Sequence, residues 1–330
     1  MSRGKVPVVE TTIDALAEAA TLAGYAPSIH NSQPWRWRVA DGVLDLHLAH
    51  ERQLPSTDPD ARLAVLSAGT ALHHARTAMA AEGLDAHVVR LPDPDDPGHL
   101  ARITIAGRLP VSPAAMRLVQ TMRIRHTDRR PVTEEPVGAD ELTTVVDAVH
   151  GEGAWLHILH RDEVIELAAA ASYAQQAEAA DDTWQAELAY WTGGLRPDGV
   201  GVPDAVIPAE ATQTTVPSRD FGHHGSLLVS SNHDQGASFA ILYGPEDSTA
   251  DWLRAGESLS AGWLAATELG LSLVPLSATV EVPYTRQTLS RLVVGLGSPY
   301  LVIRLGHPDP AHAGPPHTPR LRAEQIIERV

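Results

Sequence analysis

The hydrophobic pattern of the chain falls into two similar series of elements. Residues 68–84 and 255–271 align without a gap, share Ala-Gly, Leu and Ala positions, and both end in Gly-Leu, which predicts two helices that stop at the glycine. Each helix leads into a β-like stretch, a polar excursion with proline and a second strand ending in glycine. The predicted strands are residues 85–91, 101–107, 272–276 and 300–306.

Upstream of these helices, each series begins with an amphipathic helix and a strand that carries tryptophan. The helices are predicted over residues 13–24 and 139–149, and the strands over residues 35–39 and 155–159. Chance similarity between Ala- and Leu-rich helices is the alternative explanation, and the shared order of elements argues against it. We therefore predict two related halves, residues 1–115 and 116–330.

Each half contains a distinctive polar segment that the other half lacks. Residues 26–35 read APSIHNSQPW and occur only in the first half, whereas residues 123–130 read RIRHTDRR and occur only in the second. Two complementary half-sites are expected if a symmetric two-site dimer was fused into one chain that kept one site. The pattern thus predicts one shared site.

Residues 192–225 form a Gly- and Pro-rich segment, called here the Gly/Pro segment, in which no helical or strand period survives. Loops of this length are uncommon inside compact domains and are often lids or binding loops. We predict a lid.

The composition excludes several classes of protein and of chemistry. The chain has 330 residues, 43% of them hydrophobic and 20% charged, as in ordinary globular proteins. The absence of cysteine excludes a thiol nucleophile and thiolate metal sites, and a net charge of -16 argues against nucleic-acid and membrane partners. The acidic N-terminus and the lack of a long apolar run favour a cytoplasmic location.

The arginine cluster suits a phosphate ligand. Guanidinium groups donate paired hydrogen bonds to phosphate oxygens, and Arg125, Thr127 and Arg129 alternate such groups with a hydroxyl. An exposed salt-bridge cluster with Glu134 and Glu135 is an equally good interpretation of these residues alone.

Two further segments carry candidate polar contacts. Arg320 and Arg322 form a second cationic pair before the final helix, although a solvated tail explains them as well. Pro27 and Pro34 stiffen the loop between them, whose N–H groups and Ser, Asn and Gln side chains could contact a polar heterocycle. A helix-to-strand turn alone often has a similar composition.

Together these motifs resemble the nitroreductase family of flavoproteins. The APS-x-H-N-x-Q-P-W loop, the R-x-T-x-R segment followed by Pro-Val, and the helix ending in Gly-Leu carry the resemblance, which spans nearly the whole chain except the Gly/Pro segment. The fused layout is similar to the Acg-like branch in particular. The resemblance implies an α+β nitroreductase-like fold, in which two half-domains with mostly antiparallel sheets wrapped by helices form an intramolecular pseudo-dimer with one FMN.

The resemblance also implies a set of FMN-binding residues. Arg125, Thr127 and Arg129 match the phosphate site, His126 a position beside the flavin, and Arg320 and Arg322 a basic pair near the phosphate. The loop around the flavin ring and the backbone at its pyrimidine edge match Pro27, Ser28, Asn31, Pro275, Leu276, Ser277 and Ala278.

The implied function is a ping-pong oxidoreductase. Flavin N5 would take a hydride from NAD(P)H or an organic donor and pass it to a nitro, quinone or unsaturated small molecule, so no side chain is expected to be the catalytic group. The alternative is a silent protein that stores FMN beneath a closed lid. A further set of histidines lacks the spacing of a zinc site, and most of its members are predicted to be surface imidazoles: His73, His74, His223, His224, His307, His312 and His317. No metal site is predicted.

Overall fold

The computed structural model describes residues 8–194, 199–229, 233–293, 295–312 and 314–330, so residues 195–198 of the Gly/Pro segment lie outside the described residues. The helices are α1 Val8–Ala23, α2 Arg62–Ala81, α3 Pro113–Ile124, α4 Ala139–Gly151, α5 Arg161–Ala179, α6 Asp182–Trp191, α7 Thr249–Glu268, α8 Ala278–Glu281, α9 Pro283–Leu292 and α10 Ala323–Ile326. The strands are β1 Trp35–Ala40, β2 Val43–Leu48, β3 Leu84–Arg90, β4 His99–Arg108, β5 Trp155–Ile158, β6 Ser238–Gly244, β7 Ser272–Leu276, β8 Ser298–Gly306 and β9 Ile327–Arg329. None of the helices in the described part of the chain is long and apolar enough to cross a bilayer.

The strands form two sheets, as expected of an α+β fold with mostly antiparallel pairing. The first sheet has the order β3-β4-β2-β1-β9, and only its β1–β9 pair is parallel. The second sheet has the order β5-β6-β8-β7 and is antiparallel throughout. The predicted boundary between residues 115 and 116 lies inside α3, and β9 brings the C-terminal end of the chain into the first sheet.

The strand patterns follow their positions in the sheets. In β1, Trp35, Trp37 and Val39 are buried and alternate with exposed Arg36 and Arg38, because one face of the strand covers the core. In contrast, β8 is buried along nearly its whole length, since it lies between two strands in the middle of the second sheet.

Helices α2 and α7 cross at the centre of the molecule in a very close contact. A Cβ atom added to Gly69 would lie 2.1 Å from the carbonyl oxygen of Leu253, and one added to Gly256 would lie 1.9 Å from that of Leu66. Only glycine permits backbones to approach this closely. The crossing brings one predicted helix from each series together.

The histidines of α2 are buried and are therefore exceptions to the surface position predicted for most of the seven histidines. His73 is 7% exposed and His74 is 0% exposed. Helix α2 packs against α1, α3 and α7 and therefore leaves little of its surface to solvent. His73 shares a hydrogen bond with Ser260 across the crossing, with Nδ1 2.9 Å from Oγ.

Candidate functional site

One cavity collects nearly all of the residues that the sequence motifs singled out. Its walls come from the first loop, the arginine cluster, the end of β7, the Gly/Pro segment and the C-terminal stretch, with α2 and α7 between them. The predicted residues that line it are Pro27, Ser28, Asn31, Arg125, Thr127, Arg129, Pro275, Leu276, Ser277, Ala278 and Arg320.

His126 and Arg322 do not line the cavity. The His126 ring lies edge-on to His317, with ring centroids 6.0 Å apart, and its Nδ1 is 3.0 Å from the carbonyl oxygen of Ile124. Arg322 is exposed at the start of α10, where its backbone N–H donates to Gln325. Of the two C-terminal arginines, Arg320 and Arg322, Arg320 therefore lines the cavity and Arg322 faces solvent.

The first loop has an unusual backbone that several hydrogen bonds stabilise. His30, Asn31 and Gln33 have φ values of 44°, 54° and 51°, in the left-handed region that non-glycine residues rarely adopt. Ser28 Oγ accepts a 2.9 Å hydrogen bond from the N–H of Gln33, and Thr70 Oγ1 donates to the carbonyl of Pro27 at 2.7 Å. These bonds fix the loop against α2 at the wall of the cavity.

The side chain of Asn31 connects this loop to two distant segments. Its Nδ2 donates to the carbonyls of Gly201 and Pro319, each at 3.0 Å, and its Oδ1 accepts from Arg320 Nη1 at 3.0 Å. Gln33 adds a bond from Nε2 to the carbonyl of Gly199 at 2.9 Å. Because the amide of Asn31 is bonded to protein groups at both ends, its side chain holds Arg320 at the edge of the cavity.

Within the described ranges, three guanidinium groups of the cavity lack an acidic partner. Among the residues that the structure describes, Arg125, Arg129 and Arg320 have no carboxylate oxygen within 4.0 Å, so the interpretation as a salt-bridge cluster with Glu134 and Glu135 is wrong for the first two. Arg130 does pair with a carboxylate, that of Asp128, at 2.7 Å.

Arg125 is the least exposed of the three arginines. It is 4% exposed, and its guanidinium carbon lies 4.4 Å from the ring centroid of Trp263. Its Nε and Nη1 atoms are buried and find no hydrogen-bond partner among the residues with described positions. Burial, and secondarily the charge of Arg320, lowers the pKa of Arg125 to about 9. A buried cation without a counter-charge is costly, which indicates a site built for an anion.

Arg129 and Arg320 show the same effect of burial. The pKa of each is lowered to about 10, chiefly by burial, and for Arg129 the carboxylate of Asp128 opposes the shift while the charge of Arg219 adds to it. Arg129 lies over the ring of Phe221 at 5.5 Å and donates to the carbonyl of Val206 at 3.3 Å.

The arginines of the cavity lie in two neighbouring groups of like charge. Arg125 lies near Arg320, whereas Arg129 lies near Arg219, and burial together with Arg219 and Arg129 holds the pKa of His30 well below its usual value. Arg219 differs from the others because it has acidic partners, with Nη2 2.6 Å from Glu281 and Nη1 3.3 Å from Glu178.

Several residues of the cavity have no motif in the sequence. Arg219 and Phe221 come from the Gly/Pro segment, which has neither helical nor strand periodicity. Trp263 lies within α7, where an aromatic residue in the sequence pattern predicts packing in the core. Arg304 occupies the middle of a buried strand. Pairing of Arg304 with Asp234 at 3.0 Å makes it a structural cation, since both groups are nearly inaccessible.

The cavity can therefore hold an elongated ligand with an anionic end and an apolar or aromatic body. Unpaired guanidinium groups and the Thr127 hydroxyl offer donors, while apolar walls come from Leu63, Leu66, Val274 and Leu276. At the end of β7, Ser277 occupies the N-cap position of the short helix α8 without a side-chain hydrogen bond to it, and the first N–H groups of such a helix have no intrahelical acceptor.

Comparison with known proteins finds relatives along the whole chain. Two proteins of Mycobacterium tuberculosis, both provisionally named NAD(P)H nitroreductase and one of them called Acg, are 35% and 33% identical to it. The alignments cover 98% of this chain in both cases, and 95% and 98% of the relatives. A nitroreductase with bound FMN from Bacteroides fragilis superposes with a TM-score of 0.39 at 16% identity, over 61% of this chain and 93% of its own. No protein-family model matches.

Proposed function

The chain belongs to the nitroreductase family, and we propose that it is an FMN-dependent oxidoreductase that binds one FMN in the cavity and uses NAD(P)H or an organic donor to reduce a small molecule. The observation that carries the proposal is the set of buried, unpaired guanidinium groups, Arg125 above all, in a cavity with apolar walls.

The donors of the cavity fit the phosphate of FMN. Arg125 Nε and Nη1 and Arg320 Nε are buried polar atoms without partners, and a phosphate offers three strong acceptor oxygens. We assign the phosphate to Arg125, Thr127 and Arg320. Arg129, which the motif also assigned to the phosphate, lies instead with Arg219 and Phe221, and we propose that it contacts the ring system.

The rest of the cavity suits the flavin ring. Pro27, Ser28 and the strained backbone at His30 present one wall, and residues 275–278 present another. Bound FMN would supply the two-electron chemistry that a cysteine-free chain cannot perform with its own side chains. The chain's own contribution is to anchor the phosphate, orient the ring and exclude water.

We further propose that the two halves predicted from the sequence form a pseudo-dimer and that the Gly/Pro segment is a lid. The central crossing of α2 and α7, each followed by an antiparallel strand pair, supports the first proposal. Support for the second comes from Val216, Ser218, Arg219 and Phe221, which line the cavity from that segment.

Anaerobic mixing of the FMN-loaded protein with NADH or NADPH tests the enzymatic proposal. Loss of the oxidised flavin absorbance within seconds, followed by its return on addition of a quinone or nitro compound, is the expected result. An absorbance that persists with every donor would favour the alternative, a protein that stores FMN beneath a closed lid. A preparation that binds neither FMN nor riboflavin would refute both.

A further inference from the structure

A group of imidazoles and carboxylates lies on the first sheet, on elements distinct from those that form the cavity. Strands β2 and β4 pair antiparallel, and the register sets Asp45 opposite Arg102 and His47 opposite His99, with a bulge between residues 46 and 47. The two imidazole rings stack at 4.4 Å with an interplanar angle of 18°. His99 Nε2 lies 2.9 Å from Asp45 Oδ1.

From these residues we propose a binding site for Zn²⁺ that uses Asp45, His47 and His99 as ligands. Each offers one ligand atom, and the three atoms lie within 4.8 Å of one another. Zinc holds imidazole nitrogen and carboxylate oxygen at ~2.0 to 2.2 Å with tetrahedral geometry, so ligand atoms on one ion lie about 3.3 to 3.6 Å apart. Binding therefore requires the stacked rings of His47 and His99 to turn about their side-chain torsions toward a common point.

The connection before β4 places a further carboxylate and a further imidazole beside His47, outside the group of three ligand atoms. Asp96 Oδ2 lies 3.7 Å from His47 Nδ1. At Gly98, the position of an added Cβ would be 3.2 Å from Asp96 Oδ1 and 3.4 Å from His50 Nε2, so both groups border the same point. Imidazole ligands favour zinc, whereas magnesium and calcium favour sites made of oxygen ligands alone.

Arg102 is the present counter-charge of Asp45 and therefore competes with a cation. Its Nε and Nη2 atoms donate to the two carboxylate oxygens at 2.7 and 3.1 Å. Its side chain is 46% exposed, so it can turn into solvent when an ion binds. If Asp45 is a metal ligand, removing Arg102 frees its carboxylate and should raise the affinity for zinc. If the group is only a structural hydrogen-bond network, removing Arg102 takes away two bonds to Asp45 and should not improve zinc binding.

The test uses tag-free, FMN-loaded protein titrated with Zn²⁺ by calorimetry and with Co²⁺ by visible absorption. We expect one ion per chain and the absorption of four-coordinate Co²⁺. His47→Ala and His99→Ala should each weaken binding at least ~10- to 100-fold, whereas Arg102→Gln should tighten it. His87→Ala, at an exposed position on neighbouring β3, is the matched control and should bind as the unmodified protein does.

Three results would overturn the proposal. They are the absence of stoichiometric binding, binding that survives loss of either histidine, and binding that weakens in Arg102→Gln. Circular dichroism identifies any variant that fails to fold. His47→Gln, which keeps a polar side chain beside Asp96, then replaces His47→Ala and should show the same loss of zinc affinity.

Discussion

Replacing Arg125 with methionine should have opposite effects on the stability of the apoprotein and on its affinity for FMN. Burial lowers the pKa of this guanidinium far below its ordinary value, to about 9. At 1.36 kcal/mol per pKa unit, the charged group costs roughly 5 kcal/mol in the native state at neutral pH. The contact with Trp263 returns up to ~2 kcal/mol. Removing the charge should therefore stabilise the apoprotein by about 3 kcal/mol.

The same substitution removes donors from the proposed phosphate site. Charged hydrogen bonds contribute ~1.5 to 3 kcal/mol each, and Arg125 offers two buried N–H groups without partners. Loss of both corresponds to at least about 100-fold weaker FMN binding, at 1.4 kcal/mol per factor of ten. Riboflavin, which has no phosphate, should bind the variant and the unmodified protein equally well.

The assay combines urea denaturation of the apoprotein with flavin titrations that follow the change in fluorescence. Arg304→Met is the matched control, because Arg304 lines the same cavity but pairs with buried Asp234. Its loss leaves an uncompensated charge and should cost about 3 to 5 kcal/mol. If Arg125→Met destabilises the apoprotein like Arg304→Met and leaves FMN affinity unchanged, the reasoning about an anion site is refuted.

Three further outcomes are expected. Gly256→Ala should destabilise the protein by several kcal/mol or prevent folding in urea titrations, because its Cβ would overlap a backbone carbonyl of α2, whereas Gly107→Ala, with no atom within 4 Å of the new Cβ, should be nearly neutral. Burial raises the pKa of Glu178 to about 7 against the opposing charge of Arg219; the native state then holds a proton at this site that the unfolded state has released, so the contribution of Glu178 to the free energy of unfolding should fall as pH rises from about 4.5 to 7. The stability difference between Glu178→Gln and the unmodified protein, measured by urea titration across that range, should therefore change in favour of Glu178→Gln as pH rises. Asn31→Ala should weaken FMN binding roughly tenfold with little change for riboflavin, since it frees the arginine proposed to hold the phosphate; equal losses for both ligands would contradict that role.

Local patterns in the sequence predicted most of the framework. The helix of residues 255–271 corresponds to α7, and the strands of residues 35–39 and 272–276 correspond to β1 and β7 with shifts of at most one residue in the strands. The spacing of hydrophobic residues along a strand or helix shows which face of that element is buried. This signal depends only on residues a few positions apart in the chain. The pattern missed β2 and β6, and it began α2 several residues late, because a buried helix without a polar face gives a weak start signal.

Part of the candidate site could be predicted because its motifs also consist of neighbouring residues in the chain. The proline-bounded loop and the R-x-T-x-R segment are contiguous motifs, and their side chains do meet in one cavity. The sequence could not separate Arg320 from Arg322, which differ in whether the side chain lines the cavity. Nor could it separate Arg125 from Arg130, which differ in whether the guanidinium group finds a carboxylate. Arg130 has Asp128, whereas Arg125 has the face of Trp263, some 140 residues away along the chain.

The sequence by itself thus determined most of the elements, the family resemblance and the polar segments that come together at one site. Tertiary structure alone decided which cations remain without a counter-charge, how Arg219 reaches Glu178 and Glu281, and how His47 comes to lie on His99. The physical reason is the range of the interactions involved. Periodicity and turn chemistry act between near neighbours in the chain, whereas charge pairing and desolvation depend on every group that folding brings within a few ångströms.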